Sequence, residues 1–195
     1  MRIILGSKSP RRRELIQSIG LEAEIVLKSI EIDEIFPQEI NPREVASYLA
    51  ELKSNPLITN LNSDELLITS DTVVLKDKEI LGNPMNREEA ISMIQSLSNS
   101  RHQVITGVHL RTSSKSLTIS NSTDVIFDEL TNEEVVYYVD KYKPFDKAGS
   151  YGIQEWIGYI GVSKIHGCYY NVMGLPLNAL YQTMKLEFPP FASLK

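Results

Sequence analysis

Four stretches of this 195-residue chain carry side chains whose types and spacing could do chemistry. The first is Gly6-Ser7-Lys8-Ser9-Pro10-Arg11-Arg12-Arg13-Glu14-Leu15, at the end of an apolar run, Ile3-Ile4-Leu5. Pro10 suits a first helical turn and Ser9 an N-cap. Backbone N–H groups, hydroxyls and cationic heads therefore gather at one helix start, which describes a phosphate site. Cations there oppose the helix dipole, and an anion would offset that cost. The alternative is a solvated helix face with weak surface ion pairs.

The second stretch sets one carboxylate, Ser70-Asp71-Thr72, between Leu66-Leu67-Ile68 and Val73-Val74-Leu75. A charge in such surroundings is paired, metal-bound or shifted in pKa, the conditions for a general base or a metal ligand. The plainer reading is an Asp capping a turn. The third runs from Lys143 to Gln154 and interleaves glycines with hydroxyl and amide groups. Glycine permits close backbone approach, and the Gln154 amide offers both a donor and an acceptor to a base edge. In isolation a tight turn explains it better. The fourth, Gly167 to Leu177, builds another helix N-terminus at Pro176, and a structural role is the first reading.

The elements that must position these groups alternate. A strand at Ile3–Leu5 leads into a helix over Arg11–Ile19, stopped by Gly20, and Glu22–Leu27 forms a short strand. Glu31–Asn41 is an acidic loop. Pro42-Arg43-Glu44 opens a helix through Val45, Leu49 and Leu52 that ends near Lys53. Leu66–Leu75 is a strongly apolar strand, interrupted by Thr69-Ser70-Asp71-Thr72. Asn86–Glu89 and Thr131–Glu134 resemble capping boxes, each followed by apolar residues at helical spacing. Between them lie two strands, His102–Arg111 and Ser116–Phe127, joined by a polar turn at Thr112–Lys115. A Gly- and Tyr-rich stretch, Lys147–Gly174, precedes a last helix carrying Leu177, Leu180, Tyr181 and Met184. The pattern predicts an α/β or α+β protein with a mixed sheet. One domain over residues 1–195 is expected, with a division into two lobes around a cleft left open.

Bulk properties exclude several classes. A formal net charge of −5 disfavours broad nucleic-acid binding, whereas a small anion needs only a local basic pocket. A single cysteine, Cys168, allows no intrachain disulfide and no multi-cysteine metal site, which suits the cytoplasm. No apolar run approaches the ~20 residues of a membrane span, and no signal pattern opens the chain. His102, His109 and His166 show no one-turn pair for a helical metal site.

Together these segments resemble the Maf family of nucleoside triphosphate pyrophosphatases over nearly the whole chain. The resemblance is carried by Ser7-x-Ser9-Pro10-Arg11-Arg12-x-Glu14-Leu15, Lys53, Ser70-Asp71-Thr72-Val73-Val74 and Gly82-x-Pro84. Asp146-Lys147-Ala148-Gly149-x-Tyr151-Gly152-Ile153-Gln154 and Gly174-Leu175-Pro176 complete it. It implies the α/β fold shared with inosine triphosphate pyrophosphatases, a mixed sheet bent around a central cleft with flanking helices. It also implies cleavage of a nucleotide between the α- and β-phosphates, giving a monophosphate and pyrophosphate, with a divalent cation, Mg²⁺ or Mn²⁺. Arg11, Thr72 and Gln154 match the branch that acts on dTTP and UTP.

By the same resemblance, Asp71 matches the catalytic proton acceptor, and Ser7, Arg12 and Lys53 match phosphate-binding positions. Asp33 and Glu34 match an acidic pair assigned to the metal. A cytoplasmic homodimer, with no nucleic-acid or membrane partner, completes the expectation. One departure stands out. The family usually places Lys between Gly82 and Pro84, and this chain has Asn83. Lys76, Lys78 and Arg13 are the cations in view to replace the lost charge. The competing readings are a nucleotide-binding regulator of septum formation with weak or no turnover, an inosine/xanthosine triphosphate pyrophosphatase, and an RNA-binding module using Arg11 to Arg13.

Overall fold

A computed structural model describes residues 1–28 and 32–195. Glu31, the first residue of the predicted acidic loop, lies outside them. In chain order the elements are β1 (Arg2–Gly6), α1 (Pro10–Ser18), β2 (Glu24–Lys28), α2 (Val45–Leu52), β3 (Glu65–Lys76), β4 (Glu79–Leu81) and α3 (Arg87–Leu97). They continue with β5 (Arg101–Arg111), β6 (Ser116–Phe127), α4 (Asn132–Tyr142), α5 (Trp156–Gly161), β7 (Val162–His166), α6 (Tyr169–Val172) and α7 (Leu177–Glu187). The strands form one seven-stranded mixed sheet of order β2-β1-β3-β5-β6-β7, with β4 paired to β3. The chain divides into two compact units, described separately below.

The first unit comprises Met1–Asp71, Thr106–Asn121 and Gly174–Lys195. Here β1 lies parallel to both β2 and β3, in a register that sets Leu5 beside Ile68 and Gly6 beside Thr69. Ile3, Ile4, Leu5, Leu66, Leu67 and Ile68 are all buried, as expected for parallel strands covered on both faces. Helix α1 starts where the sequence places it, with Pro10 in the first turn and the Ser9 hydroxyl accepting from the Arg12 N–H. Helix α2 opens at Val45 rather than Pro42. Asn41 closes a turn first, accepting from the Arg43 N–H on its side chain at 3.0 Å and from the Glu44 N–H on its carbonyl at 2.8 Å. In β5, Gly107 packs directly on α2: a Cβ there would lie 2.4 Å from the Ala46 carbonyl oxygen.

The second unit comprises Thr72–Ile105 and Ser122–Met173. Its core gathers Val74, Ile94, Leu97, Val104, Phe127 and Tyr138 among others. Asn86 caps α3, accepting from the Glu89 N–H at 2.9 Å, while the Glu89 carboxylate reaches the Met85 N–H at 2.8 Å. Thr131 and Glu134 form the full reciprocal capping box at α4. Elements β4, α5, β7 and α6 are not visible in the sequence pattern. All are short; α5 contains two glycines, and β7 mixes half-buried and exposed residues without an apolar run.

Candidate active site

Asp71 is positioned by strand alternation. Thr69 and Asp71 face the same side of β3, because side chains two apart share a face. The Thr69 hydroxyl donates to the Ala50 carbonyl at 2.6 Å and ties that face of β3 to the last turn of α2. Lys53 follows Ala50 by three residues, about one turn, and caps the C-terminal end of α2. A cation is favoured at that end of a helix. Its ammonium donates to the Asp71 carboxylate and, at 2.6 Å, to Glu34.

Arg12 reaches the same neighbourhood from the first turn of α1. Its Nε donates to the Gly174 carbonyl and one terminal nitrogen to the Ser70 carbonyl, both at 2.8 Å. The Ser70 hydroxyl also donates to the Gly174 carbonyl, at 3.2 Å. Two backbone oxygens thus aim the guanidinium, a fork geometry that a lysine cannot reproduce.

Burial dominates the electrostatics of both groups. It raises the Asp71 pKa above the ordinary carboxylate value, against the opposing pull of Lys53 and Arg12. It lowers that of Arg12, with Asp71 acting in the opposite direction. A carboxylate held in place by cations yet made more basic by burial is suited to accept a proton.

The other expected residues fall as follows. The Ser7 hydroxyl accepts from the Ser9 N–H at 3.1 Å, and Ser9 in turn caps Arg12. Both hydroxyls thus shape the loop after β1. Arg11 is half-buried and Arg13 is exposed. Asp33 is exposed and makes no ion pair among the described residues, whereas its neighbour Glu34 is held by Lys53. Asn83 is exposed, Lys76 donates to the Ser96 carbonyl, and Lys78 sits in the exposed β3–β4 turn.

Thr72 and Gln154 belong to the second unit. Thr72 is half-buried on β3. Gln154 sits in a tight turn closed by the Glu155 N–H donating to the Gly152 carbonyl at 3.0 Å. Its side-chain Oε1 is buried and accepts no hydrogen bond among the described residues. Sequence reasoning missed the carbonyls of Ser70 and Gly174, because any residue type supplies one. It also missed Glu155 and Tyr138, whose partnership spans two separate segments.

Among the described residues no group of three or more His, Cys, Asp or Glu side chains could by itself hold a metal. His102 instead pairs with the Tyr151 hydroxyl and His109 with that of Thr118. Glu34 and Asp33 would offer carboxylate oxygens, the donor type taken by a hard divalent cation that keeps most of its water. That is the usual habit of Mg²⁺. The residues present fit such an ion.

Comparison with known proteins places the fold first. The chain resembles a solved HAM1 protein from Coxiella burnetii, with a TM-score of 0.54 over 95% of this chain and 99% of that one, at 11% identity. This likeness defines an α/β fold of that type. The family described as Maf-like protein matches residues 2–187, and the chain belongs to that family. It is 49% identical over 184 residues to the dTTP/UTP pyrophosphatase of Parabacteroides distasonis, covering 94% of this chain and 95% of that one. The dTTP/UTP pyrophosphatase of Flavobacterium psychrophilum is also 49% identical, over 92% and 91% of the two chains. That of Bacteroides thetaiotaomicron is 46% identical over 94% of each. No helix among the described residues is long and apolar enough to cross a membrane.

Proposed function

We propose that this chain hydrolyses dTTP and UTP to the nucleoside monophosphate and pyrophosphate, with Asp71 as the general base. The observation that carries the reading is the Asp71 carboxylate, buried and raised in pKa, on the ammonium of Lys53. Near-50% identity to relatives named for this activity supplies the substrate class.

In this reading Asp71 takes a proton from water as its oxygen bonds to the α-phosphorus. The α–β phosphoanhydride bond breaks, pyrophosphate leaves, and the proton passes to solvent. Lys53 and Arg12 stabilise the charge that builds on the departing oxygens. Arg12 is already aimed by the Ser70 and Gly174 carbonyls, so little reorganisation is needed. Ser7 belongs to the same phosphate-binding loop. Glu34 and Asp33 would hold a divalent cation, Mg²⁺ or Mn²⁺, which when bound neutralises triphosphate charge. Arg11, Thr72 and Gln154 select the pyrimidine base. The reading also takes residues 1–195 as one Maf-like domain in a cytoplasmic homodimer.

The test is pyrophosphate release from dTTP, UTP, ITP and dCTP with Mg²⁺ or Mn²⁺. Release from dTTP and UTP ahead of ITP supports the reading. Tight nucleotide binding without turnover favours a regulatory role instead, to which the loss of the family's usual lysine at Asn83 would contribute.

A further inference from the structure

The turn that carries Gln154 is clamped from several directions by groups of the second unit. On its N-terminal side, the Gly152 N–H donates to the Tyr138 hydroxyl at 3.0 Å. That hydroxyl donates in turn to one oxygen of the Glu155 carboxylate. The other oxygen lies 3.3 Å from the Lys147 ammonium, which also binds Asp146 at 2.7 Å. Glu155 therefore folds back over the start of its own turn, and a Cβ on Gly152 would come within 2.8 Å of its carboxyl carbon. Downstream, the Tyr159 hydroxyl donates to the Gln154 carbonyl at 2.6 Å. Gly158 approaches so closely that a Cβ there would lie 1.8 Å from the Ile153 carbonyl oxygen.

The Lys147 side chain is only 9% exposed and Tyr138 is buried. Enclosing a lysine and a carboxylate is costly unless each is well partnered. Here the hydrogen bonds converge on the two residues flanking the turn. Between them sits an amide whose Oε1 is buried and accepts no hydrogen bond among the described residues. A buried acceptor without a donor is unfavourable in the free protein and becomes favourable when a ligand brings the donor.

We propose that Glu155, held by Tyr138 and Lys147, is a positioning residue for the Gln154 amide and sets discrimination between uracil or thymine and cytosine. The inference rests on the assignment of Gln154 to base selection in the proposed function. Uracil and thymine carry an N–H donor at ring position 3, where cytosine carries an acceptor. An amide fixed with its oxygen toward that position accepts from the first two and repels the third. A loosened turn lets the amide rotate by half a turn and present its NH₂ group, which suits cytosine. Sites built around such hydrogen bonds owe their discrimination to polar groups that cannot readjust.

The test compares wild type with Glu155→Gln and Tyr138→Phe, each first shown to be folded by its thermal melt. Two ratios are read: kcat/KM for dTTP over dCTP, and the Kd of dCMP over that of dTMP, which needs no turnover. Both ratios are expected to fall by about tenfold in each variant, because the fixed hydrogen-bond pattern is what excludes cytosine. Ratios equal to wild type in folded variants overturn the proposal, as does an equal loss of activity on both nucleotides. A wild type that binds dTMP in preference to dCMP but hydrolyses nothing contradicts the proposed function, and the binding ratio still decides the role of Glu155.

Discussion

Asp71 and Lys53 form an ion pair inside the first unit, with 8% and 15% of their side chains exposed. The pair exists because β3 alternates and α2 ends at Lys53, with the Thr69–Ala50 hydrogen bond fixing one element on the other. The same ammonium binds Glu34, so a single lysine organises the proposed base and a proposed metal ligand. Replacing it with methionine keeps the aliphatic stem and removes the charge. Lys53→Met is expected to lower kcat/KM for dTTP by about 100-fold, the typical cost of one preorganised charge-stabilising group. Steady-state pyrophosphate release measures it, and a loss of less than threefold would contradict the assignment.

Asp71 is held in its charged form at a cost, since burial outweighs its cations and raises its pKa. The charged carboxylate therefore opposes folding relative to a neutral isostere. Asp71→Asn is expected to melt no lower than wild type at pH 7 while losing turnover, a trade of stability for activity common at functional sites. Differential scanning calorimetry beside the activity assay reads both. A melting temperature several degrees below wild type would show that the carboxylate is chiefly a structural partner for Lys53.

Gly107 tests whether α2 must sit where it does. A Cβ on β5 at this point meets the Ala46 and Ser47 backbone at 2.4 to 2.5 Å, so α2 has to move. Gly107→Ala is expected to destabilise by about 3 kcal/mol, at the upper end of overpacking costs. Denaturant unfolding measures the change. Activity should fall further than the unfolded fraction accounts for, because displacement of α2 carries Lys53 with it.

His102 predicts an acid limit to stability. Burial, reinforced by Lys76 and opposed by Asp124, lowers its pKa from 6.5 to about 4. The unfolded chain therefore binds more protons than the folded one between those values. Stability is full above pH 6.5 and falls as the pH drops toward 4, by about 3 kcal/mol over the window. His102→Gln can keep a hydrogen bond to Tyr151 and should remove that part of the slope. An equal loss of unfolding free energy between pH 7 and pH 4.5 in wild type and His102→Gln, measured by urea titration, would locate the acid sensitivity elsewhere.

Much of this was legible from residue types. Ser9 and Pro10 announce the start of α1, Thr131 and Glu134 that of α4, and the apolar runs of β1 and β3 mark strands, whose parallel pairing the structure shows. Asp71 stood out as a lone charge in such a run. What could not be read depends on chain segments distant in sequence. Arg11, Arg12 and Arg13 look alike as letters, yet it is Arg12 that docks on the carbonyls of Ser70 and Gly174, 58 and 162 residues away. The Glu155–Tyr138 contact is equally nonlocal, and β7 reveals itself only by pairing with β6.

The central claim is that Asp71 drives hydrolysis of a pyrimidine nucleoside triphosphate. Pyrophosphate release from dTTP and UTP, measured with Mg²⁺ for wild type and Asp71→Asn side by side, tests it most directly. Wild type is expected to turn over, to lose activity on chelation, and to exceed the variant by about 1,000-fold or more, as when a general base is removed. Equal turnover by the two proteins would contradict it.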